Sequence, residues 1–227
     1  MKRIIGRPLM DNQVDDYSKT VEIPEITPDG IDIKRLVFRF QWANDIMDSN
    51  IRKGLYYRRF LDVGAYDGEL SMVAALKTTG HNTSETIIAD AVEPFKPAYD
   101  AAVRVSEIMR SRGFHINAHN VTFEDYKTDN LYDIICAFEF LEHTKDPLFC
   151  VEKMYDLLQI GGELLITVPE ERGKYGLEDR NPYHYWASTI QSLTSMMFHE
   201  ERKWRIQSIF IHDDLIHAHI KKAVYMV

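Results

Sequence analysis

The spacing of hydrophobic positions changes several times along this 227-residue chain, and each change marks an element. Between residues 36 and 57 the apolar side chains Leu36, Phe38, Phe40, Trp42, Ile46, Met47 and Ile51 recur without strict alternation, which predicts one or two helices. Strand-like runs then alternate with helical ones. Residues 60–63 read as a strand, 69–77 as a helix opening after Gly68, 86–92 as a strand, 98–112 as a helix stopped by Gly113, and 115–121 as a weaker strand. Residues 132–138 are a continuous apolar run, as a strand covered on both faces requires. Asp146-Pro147 opens a helix with one face on Leu148, Val151, Met154, Tyr155 and Leu158, and Gly161-Gly162 is expected to end it. Residues 163–168 form another buried strand, and Ser188 is expected to cap a helix reaching Phe198. Residues 204–211 and 215–220 flank Asp213-Asp214 as an antiparallel hairpin. The alternation predicts an α/β fold: a Rossmann-like, doubly wound sheet of seven strands, mostly parallel and closed by a C-terminal antiparallel hairpin.

The first 35 residues carry Pro24, Pro28 and Gly30 and read as an irregular arm. Residues 1–57 are therefore taken as an arm with helices, placed to serve as a lid, and 58–227 as the ligand-binding domain. Composition narrows the partners. With 27 Lys+Arg against 35 Asp+Glu the net charge is −8, so no field draws the chain to nucleic acid or to an anionic membrane. No apolar run approaches the roughly 20 residues of a membrane span. The start of the chain lacks the apolar core of a signal peptide, so a cytoplasmic location is expected. Cys136 and Cys150 are the two cysteines, too few for a zinc site built on thiolates.

Candidate chemistry concentrates in residues 60–70, Phe-Leu-Asp-Val-Gly-Ala-Tyr-Asp-Gly-Glu-Leu. A strand here turns into a helix, with Gly64 and Gly68 freeing the backbone for a ligand near the helix N-terminus. The spacing is Gly-x-x-x-Gly, not the Gly-x-Gly-x-x-Gly that cradles a diphosphate. Asp62 and Asp67 repel a diphosphate and favour a cation. The next strand ends Val92-Glu93-Pro94, where an acid can accept hydrogen bonds from the vicinal hydroxyls of a ribose. A cationic amino-acid head joined to a ribose describes S-adenosylmethionine.

Four stretches resemble the class I S-adenosylmethionine-dependent methyltransferases, especially the group with ubiquinone-biosynthesis and sugar O-methyltransferases. They are Leu-Asp-Val-Gly-Ala-Tyr-Asp-Gly at 61–68, Val-Glu-Pro at 92–94, residues 132–143 ending Glu139-Phe140-Leu141-Glu142-His143, and residues 161–169. The resemblance implies that Asp62, Gly64, Ala65, Tyr66, Asp67 and Gly68 face the methionine moiety, that Glu93 and Pro94 serve the ribose, and that Phe123 and Glu124 lie on the adenine side. It places Phe138 and Glu139 near the reactive methyl. Tyr66 departs from the pattern, since the family commonly has a small residue there. In some relatives a Glu-x-x-Glu-His run like Glu139, Glu142 and His143 holds a divalent metal. In others the Glu-His pair only orders the loop, and the second reading is preferred here.

His184 lies in the polar-aromatic run Asn181-Pro182-Tyr183-His184-Tyr185-Trp186, after the fifth strand of the parallel series. His143 and His184 are the candidates to take a proton from an acceptor hydroxyl. His217 and His219 alternate with apolar residues on one strand face and are read as structural. The expected activity is methyl transfer from S-adenosylmethionine, most simply to oxygen, on a small hydroxylated acceptor: a sugar, a glycan end or a quinol-like molecule. The alternative is a non-catalytic partner of the same fold that activates another enzyme.

Overall fold

The computed structural model describes residues 37–55, 57–77, 87–173, 184–198 and 202–223, and the backbone of 26–27 and 30–31. Most of the predicted arm, and Asn181, Pro182 and Tyr183 of the aromatic run, lie outside the described residues. The chain divides into two compact units, Lys19–Cys136 and Ala137–Val227. In chain order the first carries β1 (Ile26–Thr27), β2 (Gly30–Ile31), α1 (Phe38–Arg52), β3 (Arg59–Val63), α2 (Glu69–Ala75), β4 (Ile88–Val92), α3 (Lys96–Ser111), β5 (His115–His119) and most of β6 (Tyr132–Phe138). The second carries a 3₁₀ turn (Leu141–His143), α4 (Pro147–Leu157), β7 (Leu158–Pro169), α5 (Ile190–Met197), β8 (Trp204–His212) and β9 (Leu215–Lys222). The main sheet has seven strands in the order β5-β4-β3-β6-β7-β9-β8, and β1 and β2 pair separately, so the arm is not wholly irregular. No described helix is long and apolar enough to cross a membrane.

In the first unit β3 pairs in parallel with β4, and β4 with β5. Helix α3 buries Ala98, Ala101, Ala102, Val105 and Met109, the i, i+3, i+4, i+7 stripe that packs a helix on a sheet. Gly113, at φ +86°, stops it as expected. A polar joint fixes the strands against one another. The buried Asp90 carboxylate of β4 accepts from Asn117 Nδ2 (2.9 Å) and the Tyr132 hydroxyl (2.8 Å), and lies 3.2 Å from His119 Nε2. The Tyr132 hydroxyl also meets that of Tyr126 at 2.8 Å. Burial pushes the Asp90 pKa upward, but the hydrogen bonds from His119, Asn117 and Tyr132 outweigh it and hold the carboxyl below its ordinary value. Tyr132 is driven the other way, burial being the largest cause, and stays a neutral donor.

In the second unit β9 lies between β7 and β8, antiparallel to both, so the predicted hairpin closes the sheet. Ile206, Ile209, Ala218 and Ile220 of the hairpin face Leu193 and Met197 of α5 around a small apolar gap. The opposite face pairs Thr167 with His217 and Leu165 with His219. His217 is 1% exposed and stacks on Phe210 with ring centroids 5.1 Å apart, and His219 Nε2 lies 3.5 Å from a Glu163 carboxylate oxygen. The register of edge strand β8 slips between Ile206 and Ser208, leaving Gln207 in a bulge.

Two boundaries depart from expectation. Gly161 does not end α4; the helix stops at Leu157, β7 begins at Leu158, and Gly161 sits within that strand at φ +80°. Thr189, not Ser188, caps α5: Thr189 Oγ1 accepts from Ser192 N–H while Ser192 Oγ accepts from Thr189 N–H. Ser188 instead bridges to Glu170. The hairpin turn holds Asp213 at φ +50° and Asp214 at φ +61°, left-handed at both central positions as a two-residue turn demands. Asp214→Gly, which removes that steric cost, is expected to stabilise the protein by about 1 kcal/mol and raise its melting temperature by roughly 2–4 °C; thermal denaturation followed by circular dichroism measures it.

Candidate active site

Open α/β sheets collect ligands at the carboxyl ends of their strands, where β3 and β4 of the first unit turn into helices. The β3–α2 crook is built by the backbone. Gly64 N–H and Ala65 N–H both donate to the Val92 carbonyl (3.0 and 3.1 Å), carrying the chain past the end of β3. Gly64 (φ +71°), Tyr66 (φ +50°) and Gly68 (φ +80°) then take left-handed conformations in quick succession. Gly68 must be glycine for a second reason: a Cβ there would lie 3.2 Å from that of Ala102, so its smallness serves the approach of α2 to α3. Asp67 Oδ1 accepts the Glu69 N–H at 3.1 Å and starts α2.

The crook is strongly acidic. Asp62 is 3% exposed, and its Oδ2 accepts from Ser71 Oγ at 2.8 Å. Burial, reinforced by the charges of Asp67 and Glu93 and opposed by Ser71, pushes its pKa up to about 7. Burial also raises Asp67, and Glu69 rises to about 6 through burial and the Asp67 charge, with Arg39 opposing. Glu93 is buried and raised for the same main reason; its two oxygens accept from Tyr66 N–H (2.9 Å) and Phe95 N–H (2.7 Å). Neither Asp62 nor Glu93 meets a cation among the described residues. Ala65 is buried, Pro94 is exposed, and Tyr66 is 45% exposed despite its strained backbone. Asn120 ties the neighbouring loop down by donating to the carbonyls of Glu93 and Pro94, both at 3.0 Å. Of the two residues expected beside adenine, Phe123 is buried in the core and Glu124 is exposed.

The second unit gathers the acceptor-side candidates. Phe138 is buried at the end of β6, and Glu139 follows in a left-handed conformation (φ +48°). The Glu139 N–H is held by both the carbonyl and the hydroxyl of Thr167, at 3.0 Å each. Glu142, His143 and His184 converge: one ligand atom from each lies within 4.8 Å of the others, with Glu142 buried and His143 exposed. The rings of His143 and His184 meet edge to face with centroids 4.8 Å apart. Glu139, the first carboxylate of the alternative metal set in the sequence, stands outside this group, and His184 takes its place.

A family model described as a methyltransferase domain matches residues 33–212, most of the chain. The chain belongs to the methyltransferase-domain family. No curated protein is recognisably similar to this methyltransferase in sequence. Solved structures share its fold at low identity. An S-adenosylmethionine-dependent methyltransferase from Clostridium acetobutylicum ATCC 824 is 12% identical, over 85% of this chain and 95% of that one, with a TM-score of 0.64. The 1,6-didemethyltoxoflavin-N1-methyltransferase of Burkholderia thailandensis, with 1,6-didemethyltoxoflavin and S-adenosylhomocysteine bound, is 15% identical over 85% and 82%, TM-score 0.63. The [4+2]-cyclase SpnF is also 15% identical, over 82% of each chain, TM-score 0.59. The fold therefore hosts more than one chemistry.

Two members of the methyltransferase's candidate site are not among the residues that its motifs single out. Ser71 is one, although a hydroxyl inside the run Leu70–Ala75, every residue of which is buried, is a signal that it serves a buried acid. Thr167, the clamp on Glu139, is the other, and its contact is too distant in sequence to be seen. The Asp62 pKa sets a pH dependence. An acid of ordinary pKa 3.8 when unfolded and about 7 when folded binds its proton more tightly in the native state, so stability is lost as pH rises through that window. Asp62→Asn abolishes this loss. Its stability advantage over the natural chain is expected to grow between pH 5 and pH 8 by on the order of 2–3 kcal/mol, read from urea unfolding at the two pH values; an advantage independent of pH contradicts the assignment.

Proposed function

We propose that the chain transfers the methyl group of S-adenosylmethionine to a small hydroxylated acceptor such as a sugar, a glycan end or a quinol, with oxygen as the receiving atom. The observation that carries the reading is the buried pair Asp62 and Glu93 in the crook, neither of which meets a cation among the described residues. An uncompensated buried carboxylate is costly, and a ligand that brings positive charge removes the cost. The residues present fit S-adenosylmethionine. Asp62, screened from solvent, acts on the ammonium by its field and through Ser71 or a water, while each Glu93 oxygen, already accepting one backbone N–H, keeps a lone pair for a ribose hydroxyl. Tyr66, exposed on a strained backbone, covers the nucleoside.

When bound, S-adenosylmethionine supplies an electrophilic methyl on a sulfonium centre. The remaining work is positioning, with a base for the acceptor proton. His143, exposed and in contact with His184, takes that proton, and the buried Glu142 carboxylate beside the pair stabilises the imidazolium that results. Isothermal titration of the full chain with S-adenosylmethionine is expected to give heat, and Asp62→Ala with Glu93→Ala to abolish it; a natural chain silent at millimolar ligand overturns the reading.

The convergence of Glu142, His143 and His184 favours a second reading of the acceptor side, in which one carboxylate and two imidazoles hold a divalent cation. That donor set suits zinc or manganese better than magnesium. The cation would present an acceptor's vicinal hydroxyls and ease loss of a proton. Zinc titrated into the full chain is expected to shift the ring NMR signals of His143 and His184 together, and to leave the His143 signal in place in His184→Gln; signals unmoved in the natural chain remove this reading.

A further inference from the structure

The acceptor-side group depends on a residue with no part in the chemistry. Residues 184–188, which carry His184, belong to no helix and to no strand beyond one bridge at Ser188. Unsupported segments of this kind move, so a contact between His184 and His143 needs ties that hold it. Among the described residues, backbone bonds supply some of those ties: Tyr185 N–H to the Glu142 carbonyl (2.7 Å), Ser188 N–H to the Pro169 carbonyl (3.0 Å), and Glu171 N–H to the Ser188 carbonyl (2.8 Å). A side chain adds another. Trp186 donates its indole N–H to the Thr144 carbonyl at 2.5 Å.

The receiving end is itself fixed. Thr144 is buried, its hydroxyl lies 3.5 Å from Cys150 Sγ of α4, and the same oxygen accepts the Asp146 N–H at 3.3 Å. The Trp186 ring fits beside Leu141, Glu142, Pro147 and Met196 around a small cavity. Tyr185 and Trp186 thus grip the carbonyls of Glu142 and Thr144, the residues on either side of His143. The chain carrying His184 is clamped across the turn carrying His143.

We propose that Trp186 is the positioning residue of the acceptor site, and that its indole N–H hooked to the Thr144 carbonyl holds the His184 imidazole against that of His143. The functional meaning rests on the reading of the two histidines given above; the geometric claim does not. A Trp186 that only filled space would be replaced by phenylalanine without consequence for the rings. One that acts through its N–H would not.

The test is NMR of the full chain with ring-labelled histidine. In the natural background, His184→Gln is expected to move the His143 ring signal, because it removes an edge-to-face neighbour. In Trp186→Phe the same substitution is expected to leave the His143 signal where it is, the contact having already been lost. A cross-effect that survives in Trp186→Phe overturns the proposal. Should that variant fold poorly, the natural chain decides: the Trp186 indole proton is expected to exchange slowly with solvent, and fast exchange overturns the hook. Calorimetry separates the two claims. Trp186→Phe is expected to bind S-adenosylmethionine within about twofold of the natural chain. A natural chain that binds none removes the methyl-transfer reading and leaves the ring experiment to judge the positioning role alone.

Discussion

A carboxylate shut away from water at the end of β3 sets the terms for the rest of the first unit. Asp62 has the hydroxyl and backbone N–H of Ser71 as donors, two acidic neighbours whose charges oppose its ionisation and no cation among the described residues, and with its pKa pushed up to about 7 it sits between protonation states near neutral pH. Burying such a group in its ionised form is costly unless a positive charge accompanies it. The strained Tyr66 and the glycines around it belong to the same arrangement, since the backbone must double back tightly to bring Glu93 under the crook. The neighbouring Asp90 joint shows the contrast: with hydrogen bonds from Asn117, Tyr132 and His119, a buried acid is held below its ordinary pKa instead of above it.

The patterns that repeat locally were readable from sequence. The apolar stripe of α3, the continuous run of β6 and the alternating strands of the hairpin each follow one period, and each appears within a few residues of its expected place. The crook was readable because its glycines and acids lie within seven residues of one another. Boundaries failed where one residue type serves two structures. Gly161 has the left-handed conformation of a helix terminator but uses it inside a strand, and Ser188 and Thr189 are equally good caps by type, so which of them starts α5 is decided by Ser192 and by the bridge that occupies Ser188.

Contacts between distant residues were the illegible part. His143 and His184 each qualify as a base by residue type and position, but nothing in their spacing announces that their rings touch. The Asp90–Tyr132 bond and the Trp186–Thr144 bond each span 42 positions, and no periodicity reports on pairs so far apart. The same holds for the choice of His184 over Glu139 as third member of the acceptor-side group, a matter of how a loop is tied and not of which residues it contains. The crook, made of neighbours, could be assigned a ligand class from sequence; the acceptor side, made of strangers, could be assigned only candidates.

The slip in register at Gln207 has a consequence for the behaviour of the protein in crowded solution. Strand β8 is the last of the sheet and offers a row of amide groups that another chain's strand could extend. A pairing that began at Trp204 would fall out of step two residues past Arg205, because the bulge displaces the donors and acceptors beyond it. The irregularity thus works as a guard against fibrous stacking of one molecule upon the next.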